Sequence, residues 1–98
     1  MRKIEKDMCE AITKGKDFKS GNTEVIFSEV NKKHYVILLF GNKIAQYTGS
    51  LQISNAGWVT QTTRSRLNAI CYSRISIKKG EMYLDGELME KEKWYSVT

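Results

Sequence analysis

The sequence predicts a small α+β domain: a twisted antiparallel β-sheet, made of a meander and a C-terminal hairpin, with one helix packed on it and an N-terminal helix. Short apolar runs of strand length are separated by turn signals such as Gly41-Asn42 and Asp85-Gly86. Two further segments have apolar residues at helical spacing. The chain has 98 residues and no proline, which suits one domain of strands and helices joined by tight turns.

The N-terminal helix is predicted over residues 2–14, with Gly15 as a natural stop. Its apolar residues share one helical face: Ile4, Met8, Ala11 and Ile12. Residues 16–22 are polar, so we expect a loop there.

A four-stranded antiparallel meander is predicted next, with strands over 23–30, 34–40, 43–48 and 51–54. Strand 34–40 has apolar side chains on both of its faces, which is typical of a central strand covered on both sides. Two helices in a chain of this length are too few to cover both faces of this strand. We therefore expect a homodimer.

The second helix is predicted over residues 63–73, with Thr62 or Thr63 as its N-cap. Its apolar stripe consists of Leu67, Ile70 and Cys71. Strands over 74–79, 81–84 and 87–89 follow. The adjacent aromatics near the C-terminus are expected to dock onto the domain: Trp94 and Tyr95.

We predict a single domain over residues 1–98. It comprises a helical extension (1–20), an α+β core (21–89) and a tail (90–98).

The charge is distributed unevenly along the chain. The net charge is +5, and no acidic residue occurs between Val30 and Gly80. Eight basic residues lie in that stretch: Lys32, Lys33, Lys43, Arg64, Arg66, Arg74, Lys78 and Lys79. Such a stretch predicts a positive surface of the kind that contacts phosphates in nucleic acids.

The candidate binding residues are one aromatic, one amide and five basic side chains: Trp58, Arg64, Arg66, Asn68, Arg74, Lys78 and Lys79. Trp58 would stack on an unpaired base. A structural interpretation stands beside this one. Arg64 and Arg66 bracket the apolar stripe of their helix and would lie over the core, the turn lysines would protect sheet edges, and Trp58 would anchor a turn.

Several chemistries are disfavoured. Cys9 and Cys71 are the only cysteines and His34 is the only histidine, so a four-ligand zinc site is excluded. We expect both cysteines to be small apolar residues of the core. No nucleophile and base pair and no phosphate-binding glycine motif is recognisable. We therefore expect a non-enzymatic protein without metal or cofactor.

No apolar run approaches the roughly 18 residues of a membrane helix, and charges are spread through the N-terminal residues. We expect a cytoplasmic protein without membrane attachment.

Three blocks of the sequence carry a resemblance: GNTEV at 21–25, LFGNKIAQY at 39–47 and AGWVTQTTRSRLNAI at 56–70. They resemble a family of small proteins encoded by tailed bacteriophages, with the pattern GNTxV…LxGNxIA…GWxTxTTxxRLN. The resemblance covers about residues 21–84 and leaves the N-terminal helix and the tail after Met89 outside. It implies a phage origin and expression inside a bacterial cell, and it transfers no catalytic residue.

The leading hypothesis is a phage accessory protein that binds a host protein or a defence or nucleic-acid-processing complex, and inhibits or redirects it. The alternative is direct binding of nucleic acid through the basic residues of 30–80. A structural component of the virion is a third class. Binding to nucleic acid would weaken steeply with salt, whereas a packed protein interface would lose far less.

Overall fold

The structure is a computed structural model that describes residues 1–97. Its helices are α1 (Lys3–Lys14) and α2 (Gln61–Ile70). Its strands, in chain order, are β1 (Phe18–Ser20), β2 (Thr23–Phe27), β3 (Tyr35–Leu39), β4 (Asn42–Tyr47), β5 (Leu51–Ile53), β6 (Ile75–Lys78), β7 (Glu81–Leu84), β8 (Glu87–Leu88) and β9 (Tyr95–Ser96).

The strands form two antiparallel sheets. The larger sheet has the order β1-β2-β3-β4-β5-β9, and the smaller has the order β6-β7-β8. The predicted α+β class and the central meander are confirmed. The meander is extended by β1 at one edge and by β9 at the other.

The expected loop at 16–22 was wrong, because it contains an edge strand. Gly21-Asn22 is a two-residue turn that pairs Ser20 with Thr23 across β1 and β2. Gly21 has a φ of +55°, a conformation that glycine adopts without steric cost. The turn chemistry therefore outweighs the polar composition of the segment.

Strand β2 ends at Phe27, three residues earlier than predicted. The Ser28 hydroxyl accepts hydrogen bonds from the backbone N–H groups of Val30 and Asn31. Serine side chains that bond to nearby backbone favour turns over ladders. The chain therefore leaves the sheet at Ser28, and Val30 is fully exposed.

One face of the larger sheet holds the hydrophobic core. Val25, Ile37, Ala45 and Ile53 are aligned across four strands and are completely buried. Side chains from both helices, the smaller sheet and the segment after it pack against them: Met8, Leu67, Ile75, Met82 and Met89.

The opposite face, which we call the open face, carries no fully buried side chain. Its residues are Lys19, Glu24, Ile26, Val36, Leu38, Lys43, Gln46, Gln52 and Ser96. None of its apolar members packs against the core cluster of residues 1–97. The prediction that strand 34–40 is covered on both faces is therefore wrong within one chain. Its central position in the sheet is confirmed.

Helix α2 begins two residues earlier and ends three residues earlier than predicted. Its N-cap is Thr60, whose hydroxyl accepts a hydrogen bond from the N–H of Thr63 at 3.1 Å. Thr62 and Thr63 lie inside the helix, so neither is the cap. Cys71 is already extended, with a φ of −134°. The amide of Asn68 instead pairs with both backbone groups of Ile75, at 2.9 Å each.

The C-terminal segment returns to the larger sheet. Strand β9 pairs with β5, so that Tyr95 lies opposite Ile53. Trp94 and Tyr95 are both half-buried, as expected for docked aromatics. The Tyr95 hydroxyl accepts a hydrogen bond from the N–H of Glu90 at 2.7 Å.

Candidate interaction site

An apolar cavity of about 380 Å³ opens where the β3–β4 turn meets the start of α2. We call it the aromatic cavity. It is lined by Leu39, Phe40, Ile44, Trp58, Thr60 and Thr63. Phe40 is 70% exposed and Trp58 is 57% exposed. Two large aromatic side chains therefore flank an apolar space and remain largely exposed.

Phe40 occupies an unusual backbone position. It and Gly41 form the two-residue turn between β3 and β4, and their φ angles are +51° and +79°. Two positive φ angles are what a type I′ turn requires, and asparagine, aspartate or glycine is favoured at the first position. A bulky aromatic residue there is strained. Strain of this kind is concentrated at functional sites.

Trp58 is held by a hydrogen-bonded loop between β5 and α2. Its N–H donates to the carbonyl oxygen of Asn55 at 2.8 Å. The side-chain oxygen of the fully buried Asn55 accepts from the N–H groups of Gly57 (2.9 Å) and Glu92 (3.2 Å). The tail is thereby joined to the loop that presents Trp58.

Gly57 has a φ of +83°, and the side chain of Glu92 passes 3.4 Å from where a Cβ would stand. The backbone conformation therefore favours glycine at this position, and a Cβ there would make ordinary van der Waals contact with the Glu92 side chain.

A buried ion pair connects α2 to the N-terminal helix near this cavity. The guanidinium Nη1 of Arg66 lies 2.7 Å from Oε2 of Glu5, and both side chains are less than 5% exposed. Arg66 also donates from Nε to the Thr23 hydroxyl (2.9 Å) and from Nη2 to Oδ1 of Asn22 (3.4 Å). Arg66 thus joins α2, α1 and the β1–β2 turn.

Burial alone would raise the pKa of Glu5. Hydrogen bonds from Ser65, Arg66 and the backbone N–H of Arg2, together with the charge of Arg66, outweigh burial and lower that pKa below its ordinary value of 4.5. The folded state therefore favours the ionised carboxylate more than the unfolded chain does.

This shift predicts a pH dependence of stability. The stabilisation by ionised Glu5 is present above pH 4.5 and is lost as the pH falls through the lowered pKa of the folded state. We expect Glu5→Gln to lower the free energy of unfolding at pH 7, and the gap to wild type to close below pH 4.5. Urea denaturation of both proteins at pH values from 7 to 3 measures this difference in the free energy of unfolding.

Glu10→Gln is the matched control, because Glu10 lies exposed on the same helix in a surface pair with Lys14. Its gap to wild type should stay below about 1 kcal/mol at every pH. A Glu5→Gln gap that is constant from pH 7 to 3 would contradict the proposed role of the Glu5 charge.

Comparison with known proteins decides the family. The chain matches the model of a phage protein family, described as Kyanoviridae Gp96 protein, over residues 1–98. The chain belongs to the Kyanoviridae Gp96 protein family. The predicted phage resemblance is confirmed, and the match extends beyond residues 21–84 to include α1 and the tail. No curated protein and no solved structure matches the chain.

Only one of the seven predicted binding residues of this Gp96-family protein, Trp58, lines the aromatic cavity. Arg66 was predicted on a binding surface, and that placement is wrong because it is buried at 3% exposure in the ion pair with Glu5. Arg64 is half-buried, with its Nε hydrogen-bonded to Gln61 at 2.8 Å. Asn68 is engaged with the backbone of Ile75.

The three remaining basic residues are exposed around β6, in the smaller sheet. Lys78 faces Glu81 across the β6–β7 ladder, and Lys79 follows it in the turn. Arg74 lies beside Asp85, whose carboxylate accepts a hydrogen bond from the Arg74 N–H at 2.8 Å. Acidic neighbours thus reduce the positive charge of this hairpin. The predicted basic set does not form one group around the cavity.

Phe40 was missed by sequence reasoning, which placed it inside a covered strand. The available signal was the Gly41-Asn42 pair directly after it, which marks a hairpin turn. A large aromatic next to such a turn is displaced from the ladder and exposed.

The cysteines of this Gp96-family protein are free and half-buried. Burial raises the pKa of both thiols. Their Sγ atoms donate to carbonyl oxygens of α2, Cys9 to Ala69 (3.4 Å) and Cys71 to Leu67 (3.1 Å). These neutral thiols serve packing and are poor nucleophiles.

Among residues 1–97, no group of three or more histidine, cysteine, aspartate or glutamate side chains could hold a metal ion. Within the same range, no helix is long and apolar enough to cross a lipid bilayer.

Proposed function

We propose that this Gp96-family protein is a non-enzymatic phage accessory protein that binds a bacterial host protein through the aromatic cavity and thereby modulates, most directly inhibits, that protein in the host cytoplasm. The observation that supports this is the exposure of Phe40 and Trp58 around about 380 Å³ of apolar space. Exposed aromatic residues beside an apolar pocket are the usual energetic centres of protein interfaces.

The chemistry of the cavity favours an apolar side chain as occupant. The hydroxyl groups of Thr60 and Thr63 share a hydrogen bond of 3.0 Å with each other, so they are already satisfied. Leu39 and Ile44 form the rest of the wall. A leucine, methionine or aromatic side chain of a host protein fits such a space, whereas a phosphate would find no cationic group lining it.

The placement of the basic residues favours protein over nucleic acid. Nucleic acid binding requires several cations on one surface. Arg66 is withdrawn into the core, and Lys78 and Arg74 have Glu81 and Asp85 beside them. Trp58 as a stacking platform would therefore lack a cationic track to hold the backbone of a strand.

The strained turn adds a second line of support. An asparagine in place of Phe40 would suit the left-handed conformation. The presence of phenylalanine at this site is understandable if the side chain contributes binding energy that exceeds its conformational cost.

The test is a tagged pull-down from host lysate, with and without nuclease, followed by mass spectrometry. We expect one stoichiometric host protein that survives nuclease. Trp58→Ser and Phe40→Asn should each weaken its binding by about 30-fold or more, while Tyr72→Ser should not. Tyr72 is the matched control, since it is a fully exposed aromatic that does not line the cavity.

Phe40→Asn separates binding from folding, because it should leave the thermal midpoint unchanged or raise it. Recovery of nucleic acid, with protein partners lost on nuclease treatment and steep weakening by salt, would overturn the proposal in favour of nucleic acid binding. Recovery of the chain in purified virions, with no host partner, would assign it to the virion. Equal loss of binding in Tyr72→Ser would remove the aromatic cavity from the proposal.

A further inference from the structure

We propose that the open face of the larger sheet is the interface of a homodimer, in which a second copy packs face to face about a two-fold axis parallel to β3. The face is distinct from the aromatic cavity, since Leu39 of the cavity points to the core side and Leu38 to the open face. The dimer and the proposed host interaction are therefore independent.

The open face has an apolar centre that the chain itself does not cover. Ile26 is 38% exposed, and Val36 and Leu38 are half-buried. None of the three packs against the core cluster. Antiparallel sheets commonly have one solvated face, but such a face usually carries polar residues at these positions. Packing against a second sheet about 10 Å away would bury them.

The charge pattern across β3 identifies the occupant as a second copy. Glu24 of β2, Leu38 of β3 and Lys43 of β4 lie in one row across the sheet. At about 4.8 Å between strands, the opposite charges stand about 5 Å on either side of Leu38. Directly beside β3 the row is thus acidic on the β2 side and basic on the β4 side, and Lys19 of β1 stands beyond Glu24 at the edge of the sheet.

A two-fold axis along β3 matches this pattern to itself. Rotation by 180° exchanges the two sides of β3 and keeps each row at its height along the strand. Leu38 then meets Leu38 of the partner subunit, and Glu24 lies over Lys43 of the partner subunit. Because the interface is isologous, the pair occurs twice. The angle of about 30° usual between packed sheets changes these positions only slightly near the axis.

The neighbouring row carries no charge and is apolar at the axis, where Ile26 lies over Gln46 of the partner subunit. Ile26, Val36, Gln46 and Gln52 are aligned across β2 to β5. The axis places Val36 against Val36 of the partner subunit. Gln46 donates to Gln52 at 2.7 Å, so the amides on this side are partly satisfied before a second copy arrives. No like charges face each other in either row.

Sedimentation analysis from 1 to 100 μM tests the dimer. We expect a mass of twice the 11.3 kDa monomer at tens of micromolar, with dissociation favoured by added salt. Glu24→Lys and Lys43→Glu should each weaken dimerisation by at least about tenfold, because each places like charges opposite one another twice. Glu87→Lys, an equal charge change on the exposed β8, should not.

The decisive experiment mixes the two single variants, Glu24→Lys and Lys43→Glu. Glu24→Lys has a lysine on each side of Leu38 and Lys43→Glu has a glutamate on each side, so the two variants should combine into a heterodimer at least as stable as the wild-type dimer. The double swap Glu24→Lys/Lys43→Glu should also dimerise. All variants should keep wild-type thermal midpoints under monomeric conditions, because neither residue contributes to the core.

A wild-type protein that stays monomeric at 100 μM would overturn the proposal, as would a dimer insensitive to both single reversals or a mixture that fails to associate. Since Phe40→Asn and Trp58→Ser leave the open face unchanged, they should dimerise normally. Loss of host binding with retained dimerisation, or the reverse, would therefore show which of the two proposals fails.

Discussion

Replacing Arg66 with methionine is expected to lower the free energy of unfolding by about 3–5 kcal/mol. The substitution keeps most of the side-chain volume but leaves the Glu5 carboxylate buried at 2% exposure without its cation. It also removes the donors to Thr23 and Asn22. A buried charge without a partner is among the most costly defects in a protein interior.

Urea denaturation at pH 7, followed by tryptophan fluorescence, measures this change. Arg64→Met is the matched control, because Arg64 lies two residues away on the same helix and its side chain hydrogen-bonds to Gln61 and forms no buried ion pair within residues 1–97. We expect Arg64→Met to change the free energy of unfolding by less than about 1 kcal/mol.

The double variant Glu5→Leu/Arg66→Met separates the cost of an unpaired charge from the worth of the pair. Replacing a whole buried ion pair by apolar residues is often neutral or stabilising. We therefore expect the double variant to be more stable than Arg66→Met alone. A decrease of less than about 1 kcal/mol in the free energy of unfolding of Arg66→Met would contradict the buried position and indicate that Arg66 lies on the surface.

Arg66 also shows where sequence reasoning ends. Helical spacing correctly placed it next to the stripe of Leu67, but spacing cannot tell whether a flanking arginine faces solvent or a buried acid. Its partner, Glu5, lies 61 residues earlier in a helix that was predicted as an extension outside the core segment 21–89. Only the tertiary arrangement brings the two together.

The elements that sequence reasoning predicted well are those with a strong local period or turn signal. The α1 helix has a clean apolar face and ends before Gly15 as predicted. The β3–β4 hairpin follows from Gly41-Asn42, although Gly41 is the second turn residue and Asn42 already belongs to β4. The equivalent Gly21-Asn22 pair was interpreted as part of a loop and not as a hairpin turn, because its flanking strand β1 is only three residues long and mostly polar.

Of the two exposed aromatic residues of the candidate site, only one was predicted from the sequence. Trp58 stands out as an aromatic beside a glycine in a loop. Phe40 continues an apolar run, and only its positive φ removes it from the strand. The cavity between them depends on the approach of two loops that are 18 residues apart in the chain, which composition cannot reveal.

The buried framework and the exposed aromatics have complementary roles. Thr23 and Asn22 are fixed by Arg66, and the carbonyl of Asn22 accepts the hydrogen bond from the Phe40 N–H at 2.8 Å. The turn that presents Phe40 is therefore tied to the ion pair. Rigid support of this kind reduces the entropy lost on binding. Arg66→Met should accordingly weaken host binding even where the protein remains folded.

The two faces of β3 should respond very differently to truncation. Ile37→Ala is expected to lower the free energy of unfolding by about 2–5 kcal/mol, because Ile37 is completely buried at the centre of the core and its loss leaves a cavity. Leu38→Ala, one residue along the same strand, should cost less than about 1 kcal/mol, since Leu38 lies on the open face and contacts no core residue.

Urea denaturation at about 1 μM, where the protein should be monomeric, compares the two variants under equal conditions. Sedimentation at 100 μM then provides the second readout. Leu38→Ala should weaken dimerisation, whereas Ile37→Ala protein that remains folded should dimerise as wild type does. Equal destabilisation by both substitutions at 1 μM would mean that β3 is covered on both sides within one chain. The open face would then be unavailable to a second copy, and the sequence-based prediction of a doubly covered strand would be correct after all.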